Sequence, residues 1–193
     1  MEALLGIAVG LALSTAAGLR VFIPLLLTGL AGRLGYLTLT ASMSWMASDA
    51  ALLSLATATL LEVAAYYVPW LDNLLDAMAP PVAATAGIIM TAAVTPELSP
   101  FLRWTLAIIA GGGMAGLVQV GTAMLRLKSS AFTGGVGNPL LATIELMGSL
   151  VLSALALLAP FLALVAALTG LALLAWRLAV TRRRRREAVT ARR

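Results

Sequence analysis

Three ionisable side chains lie inside strongly apolar stretches of this sequence: Arg20, Glu62 and Glu145. An ionised group in hydrocarbon is costly, so each must face other protein groups, water or a partner. The guanidinium of Arg20 can hold a carboxylate through two hydrogen bonds, and Glu62 is its expected partner. Such a pair would either lock two helices together or form an anion contact beside a carboxylate that exchanges protons.

Glu145 shares a helix face with other polar and small residues, which makes a polar stripe on an otherwise apolar helix. At helical spacing Asn138 and Ser149 fall near the same side as Glu145. The stripe indicates either helix packing or a pathway for a substrate or an ion. A second stripe, with Gln119 as its candidate pathway residue, allows close helix packing or a flexible segment beside a site. It contains Gly111, Gly112, Gly113, Gly116, Gln119, Thr122 and Arg126.

The run from 129 to 139 is the most distinctive loop of the chain, with glycines at several positions. Free backbone amides in such a loop could form an anion-binding concavity just before a helix N-terminus. It is not a phosphate-binding P-loop, because no Gly-Lys-Ser or Gly-Lys-Thr follows the glycines. An ordinary connection between helices is the alternative. The candidate residues are Thr133, Gly134, Gly135 and Gly137.

Composition places these residues in a membrane. The 193 residues are 61% hydrophobic and 11% charged, which is more apolar surface than a soluble domain of this size can bury. The chain has no cysteine and no histidine, which excludes disulfides and thiolate or imidazole metal sites. We therefore predict no metal site and no cofactor, and any proton carrier must be a carboxylate. An enzyme is not predicted either, because serine or carboxylate chemistry would need a paired constellation that the spacing does not reveal.

The basic charge is concentrated at the C-terminus. Of 13 Lys and Arg residues, five lie at 182–186 and two at 192–193, so the remaining body is about neutral. A basic run after a hydrophobic segment favours a cytoplasmic C-terminus. The chain is thus predicted to be one transmembrane helical domain over 1–178 with a basic cytoplasmic tail over 179–193. Nucleic acid is not a predicted partner.

Hydrophobic segments of spanning length predict an all-α polytopic membrane protein with about six segments. The stretch 3–31 is too long for one crossing and too short for two, so we expect it to be broken or re-entrant at Gly18, Arg20 and Pro24. Pro80 and Pro81 suit a helix start. The other five segments are 50–68, 79–95, 103–126, 139–159 and 161–178.

Two further patterns concern topology and assembly. The segment 21–28 echoes 136–143, which fits two inverted three-segment halves. A loop holding Arg126 and Lys128 is predicted on the cytoplasmic side. Tryptophans and tyrosines near segment ends, Tyr66 among them, are expected to be interfacial anchors.

The segments 18–25 and 133–145 resemble bacterial membrane proteins of the domain of unknown function 4126 family, over about residues 5–160. That family has no settled activity to carry over. The resemblance implies a membrane location, here the bacterial inner membrane, and draws attention to Arg20, Asn138 and Glu145.

These features favour a small secondary transporter for an anionic or amphiphilic solute, with Arg20 as anion contact and Glu62 and Glu145 as candidate coupling carboxylates. Six short spans leave little room for a sealed pathway, so a homo-oligomer, favoured as a dimer, is expected in contact with membrane lipids. The alternatives are a lipid flippase or scramblase, and a scaffold or assembly factor without transport activity.

Overall fold

The computed structural model describes residues 1–190, and for 69–74, 76, 178 and 181–190 it describes the backbone alone. Over this part of the chain the fold consists of helices and their connections, as the hydrophobic pattern predicted. A short 3-10 helix at Ala41–Ala47, which the sequence did not predict, precedes α3. The α-helices are α1 Glu2–Ala17, α2 Phe22–Arg33, α3 Asp49–Ala65, α4 Pro69–Ala93, α5 Pro100–Leu106, α6 Gly113–Thr133, α7 Asn138–Leu158 and α8 Pro160–Thr190.

Three of the described helices are long and apolar enough to cross a membrane: Pro100–Thr133, α7 and Pro160–Arg177. A fourth crossing is available if the 3-10 helix and α3, which meet at 65°, form one bent span. Three apolar helices are shorter: α1, α2 and Ala77–Ala93. The chain is therefore an all-helical membrane protein in which only part of the predicted segments reach full spanning length.

The first apolar stretch is broken between Ala17 and Phe22, as expected. The Gly18 amide donates back to the carbonyls of Ser14 and Thr15 at 3.1 Å, and the chain then leaves the helix. Glycine is required at 18 because a Cβ there would lie 2.7 Å from the Val118 side chain on α6.

Pro24 does not break a helix itself. It is the third residue of α2, where an amide has no intrahelical acceptor, so a missing donor costs little. The break therefore spans Gly18–Val21, and Pro24 fits the restart of the chain as α2.

The helix from Pro100 to Thr133 contains a π-helical segment at Ala107–Gly112 between α5 and α6. Gly111 and Gly112 pack there against α4, where a Cβ on Gly111 would lie 2.6 Å from the Gly87 carbonyl oxygen. A Cβ on Gly113 would meet nothing within 4 Å. Close packing thus accounts for the first two glycines, and the segment is a π-bulge rather than an unwound segment.

Two predicted boundaries are wrong. Pro80 and Pro81 do not begin a helix but lie inside α4, which starts at Pro69. The neighbouring Ala79 and Ala83 are buried, so packing of this segment against the bundle favours a continuous helix despite two missing amide donors. The predicted loop from 129 is also too long, because α6 continues to Thr133.

Helix α1 is the centre of the bundle and contacts α4, α6, α7 and α8. The Ser14 hydroxyl joins it to α4, with 2.7 Å to the Gly87 carbonyl oxygen and 2.9 Å to the Thr91 hydroxyl. Because α1 is buried along its second half, the break that follows it also lies in the interior. The fold therefore places Arg20 among the helices rather than at the surface.

The backbone of α8 runs without interruption from Pro160 to Thr190, so no helix boundary separates a domain ending at 178 from a tail beginning at 179. The side chains of 181–190 and all of 191–193 lie outside the described part.

Candidate functional site

Two arginines, one from the break between α1 and α2 and one from α6, converge on one carboxylate. Nη2 of Arg20 lies 3.5 Å from Oε2 of Glu145, and Nη2 of Arg126 donates a hydrogen bond to the same oxygen. The side chains of Arg20 and Arg126 are each 2% exposed and that of Glu145 is 7% exposed. This is a buried ion-pair cluster, and its charges are screened little by solvent.

Tyr66 completes the cluster with its ring. The guanidinium carbon of Arg20 lies 3.7 Å from the ring centroid, and that of Arg126 lies 4.1 Å from it. Both distances are within the range of a cation–π interaction, which is stronger away from water. Tyr66 is buried, so it is part of the interior and not the interfacial anchor that its position near the end of α3 predicted.

Glu62 has a role that the sequence did not predict, at the start of α2. Its carboxylate accepts hydrogen bonds from the backbone amides of Val21 at 2.9 Å and Phe22 at 3.2 Å. Arg20 forms an ion pair with Glu145, and the described hydrogen bonds of Glu62 cap the N-terminus of α2. The physical reason is that α2 packs on α3, which turns the orphan amides of the α2 N-terminus toward Glu62.

In their usual ionisation states the four groups balance in charge. Arg20 and Arg126 carry two positive charges, and Glu62 and Glu145 carry two negative ones. Both guanidiniums lie over the ring of Tyr66, which is one helical turn from Glu62. Balance matters here because an uncompensated charge in the interior would be expensive.

Hydrogen bonds to the backbone hold the cluster in place. Nη2 of Arg20 donates to the Ala142 carbonyl at 2.8 Å, one turn before Glu145 on α7. The Ser149 hydroxyl contacts the carbonyl oxygens of Ala16 at 3.0 Å and Arg20 at 3.4 Å. Residues of the predicted α7 stripe therefore join α7 to the break after α1 and fix the position of Arg20.

Asn138 lies at the start of α7 and is buried, and its side-chain Nδ2 donates to the Ser130 hydroxyl at 3.0 Å. Gln119 is buried in α6 two turns before Arg126, and no described hydrogen bond joins it to the cluster. The structure therefore unites Arg20 and Glu145 of the predicted pathway, with Ser149 and Glu62 as supports, while Gln119 stands apart.

The predicted glycine loop is a tight turn. Gly134 and Gly135 adopt φ angles of 62° and 92°, which favour glycine. The Thr133 side chain accepts from the Gly137 amide at 3.0 Å, and the amides of Val136 and Asn138 donate to carbonyls of the same turn. The turn satisfies these three amides internally, which fits the ordinary connection between helices and leaves these donors out of an anion-binding concavity.

A cleft of about 480 Å³ opens beside the cluster, between the start of α2, α3 and α4. Glu62 and Tyr66 lie on its wall, and the other lining residues described are apolar. The cleft therefore places an apolar space next to Glu62 and Tyr66. Within the described part of the chain, no three potential metal ligands come together.

Sequence reasoning did not include Arg126 and Tyr66 in the site. Arg126 was assigned to a cytoplasmic loop, but α6 extends beyond it and buries it. Its place on the stripe of Gln119 and Thr122 was a signal that it faces protein. For Tyr66 the signal was its spacing of one helical turn from Glu62.

Comparison with known proteins gives a family and no function. No curated protein matches the chain. No solved structure matches it either. Over residues 7–180 the chain matches the family described as "Domain of unknown function (DUF4126)", and it belongs to that family.

Proposed function

We propose that the protein is a small secondary transporter for an anionic or amphiphilic solute, coupled to protons through a buried carboxylate. The supporting observation is the convergence of Arg20 and Arg126 on one oxygen of Glu145. A proton on Glu145 would remove the negative charge that both guanidiniums share, and an anion could then take its place. Proton and anion would move together without a change in net charge.

Within this proposal Glu145 is the coupling carboxylate and Arg20 is the anion contact. Glu62 is the less direct candidate for coupling, because its oxygens hold the α2 N-terminus. Movement of α2 relative to α3 would release these hydrogen bonds, so the cap would respond to the state of the site.

The test is uptake of permanently charged organic sulfonates into proteoliposomes under a pH gradient that is acidic outside. A sulfonate cannot cross as a neutral acid, so its accumulation reports carriage. We expect Glu145→Gln to lose the dependence on the gradient and Arg20→Ala to lower flux about tenfold or more. Arg33→Ala is the matched control, since Arg33 lies at the exposed end of α2 and should keep full flux. Unchanged flux in both cluster variants would contradict the proposal.

The cleft supports lipid flipping or scrambling as the second candidate function. Its apolar wall meets polar groups at Glu62, which is the arrangement that a lipid headgroup with its tails in hydrocarbon would need. Dithionite quenching of labelled lipids in the same proteoliposomes distinguishes the two functions, because a solute carrier leaves the inner-leaflet label protected. Loss of stability in the cluster variants, with no flux or scrambling in the wild type, would favour the scaffold.

The proposal includes a topology of six segments in two inverted halves, in the bacterial inner membrane with a cytoplasmic C-terminus. Support comes from the echoing segments 21–28 and 136–143, which both begin a helix and place Pro24 and Pro139 in its first turn. A proline there uses a position that needs no amide donor.

We further propose a homodimer, because α8 presents apolar side chains on several sides, among them Phe161, Leu162, Val165 and Trp176. Light scattering of the detergent-solubilised protein would measure the protomer number, and a monomer would contradict this part of the proposal.

A further inference from the structure

The cleft between α2, α3 and α4 differs from the buried cluster in the charge that it would present to a ligand. Glu62 is the one charged side chain among its described lining residues. The arginines stand behind this wall, since each is 2% exposed and both are engaged by Glu145 and the Tyr66 ring. A molecule entering the cleft would therefore meet a carboxylate before it met a guanidinium.

The Glu62 carboxylate can accept more than its two backbone hydrogen bonds. Two carboxylate oxygens offer about four lone-pair positions, and the described donors are the amides of Val21 and Phe22. With all four side chains ionised, Arg20, Arg126, Glu62 and Glu145 sum to zero charge, so a cation in the cleft would face no net positive cluster. The nearest charge to it would be negative.

The remaining wall suits a large apolar body. Phe22 and Tyr66 supply aromatic rings, and Met78, a flexible side chain that adapts to irregular shapes, lies on the outer part and is 58% exposed. The volume of about 480 Å³ is within the range of roughly 300–1,000 Å³ of small-molecule sites. Leu61, another lining residue, is exposed as well, so the cleft has an apolar side chain at the protein surface.

We infer that this cleft is a binding site for a lipophilic cation, held by the Glu62 carboxylate and the apolar wall. The site goes beyond the proposed anion transport, because it uses the cleft face of Glu62 and requires no turnover at Glu145. Its ligand class is a delocalised or quaternary organic cation with aromatic or aliphatic substituents.

The test compares two probes of the same shape and opposite charge, tetraphenylphosphonium and tetraphenylborate, on the full-length detergent-solubilised protein. Equilibrium binding by dialysis should give an affinity for the phosphonium at least about tenfold above that for the borate. Glu62→Gln should lower phosphonium affinity by about tenfold and remove the preference for positive charge. Glu97→Gln, at an exposed carboxylate in the loop after α4, is the matched control and should bind like the wild type.

A second variant protects the test against loss of folding, since Glu62 also caps α2. Ala58→Phe keeps Glu62 and fills the cleft, so it should lower phosphonium affinity while gel filtration stays unchanged. Equal or tighter binding of the borate, or full phosphonium affinity in both Glu62→Gln and Ala58→Phe, would overturn the inference. If the wild-type protein binds phosphonium but transports no sulfonate, the proposed transport function is overturned and the inference about the cleft stands.

Discussion

At Glu145 a single side-chain oxygen is shared by two guanidiniums that arrive from the α1–α2 break and from α6. The carboxylate gains attraction from both arginines and holds three parts of the chain together. Removal of the carboxylate charge would leave two like charges facing each other in the interior. The site is therefore both a structural link and a group whose protonation has a large effect.

We predict that Glu145→Gln lowers the free energy of unfolding by about 3–5 kcal/mol, because removal of one partner strands buried charges. Arg126→Met should cost a similar amount. The double variant should be less destabilised than the sum of the two, since it removes both charges together. Reversible unfolding in mixed micelles measures all three.

The control for this cycle is the exposed pair of Arg33 and Asp49, whose charged atoms are 2.7 Å apart with side chains 45% and 85% exposed. Because solvent screens it, such a pair contributes about 0–1 kcal/mol to the free energy of unfolding, so Asp49→Asn should change stability little. Equal effects for Glu145→Gln and Asp49→Asn would contradict the buried cluster.

Tyr66 is predicted to stabilise the arginines through its ring. Tyr66→Leu should destabilise the protein by about 2 kcal/mol, because two guanidiniums lose an aromatic face in a desolvated place. Tyr67→Leu is the neighbouring control, since Tyr67 is 48% exposed and contacts Thr143 through its hydroxyl. Thermal unfolding in detergent compares the two variants, and an equal loss would count against the cation–π contacts.

At the scale of helices, close approach of backbones decides where glycines are needed. The π-bulge brings Gly111 onto α4, whereas Gly113, two residues later, faces open space. The two positions look alike in a run of three glycines. Only the neighbouring helix distinguishes them.

Gly111→Ala is therefore expected to cost about 1–3 kcal/mol, because its Cβ would collide with α4 at Gly87 and Thr91. Gly113→Ala should be neutral or stabilise by up to about 1 kcal/mol, since alanine is the better helix former. Chemical denaturation of the two variants measures the contrast. The same sign for both would show that α4 does not press on Gly111.

Topology belongs to the scale of the whole molecule, and the absence of cysteine makes it easy to measure. If the C-terminus is cytoplasmic and Pro100–Thr133, α7 and α8 each cross once, the turn at Val136 is cytoplasmic and the loop at Glu97 is external. A membrane-impermeant maleimide applied to intact spheroplasts should label Glu97→Cys and spare Val136→Cys. A cysteine added after Arg193 should also be spared. Labelling of Val136→Cys would show that the topology is opposite to the predicted one.

The sequence by itself determined the membrane class, the helical fold, the break near Gly18 and the need for Arg20 and Glu145 to have partners away from hydrocarbon. These follow from local quantities: apolar length, the conformational freedom of glycine, and the cost of a charge in hydrocarbon. Only the tertiary structure decided which charges meet. Glu62 and Glu145 could each have paired with Arg20 by composition alone, and the packing of α7 on α1 and of α6 beside α7 brought Arg20 and Arg126 together on Glu145. Pairing depends on how helices far apart in the chain dock against each other, and no local pattern of residues specifies that.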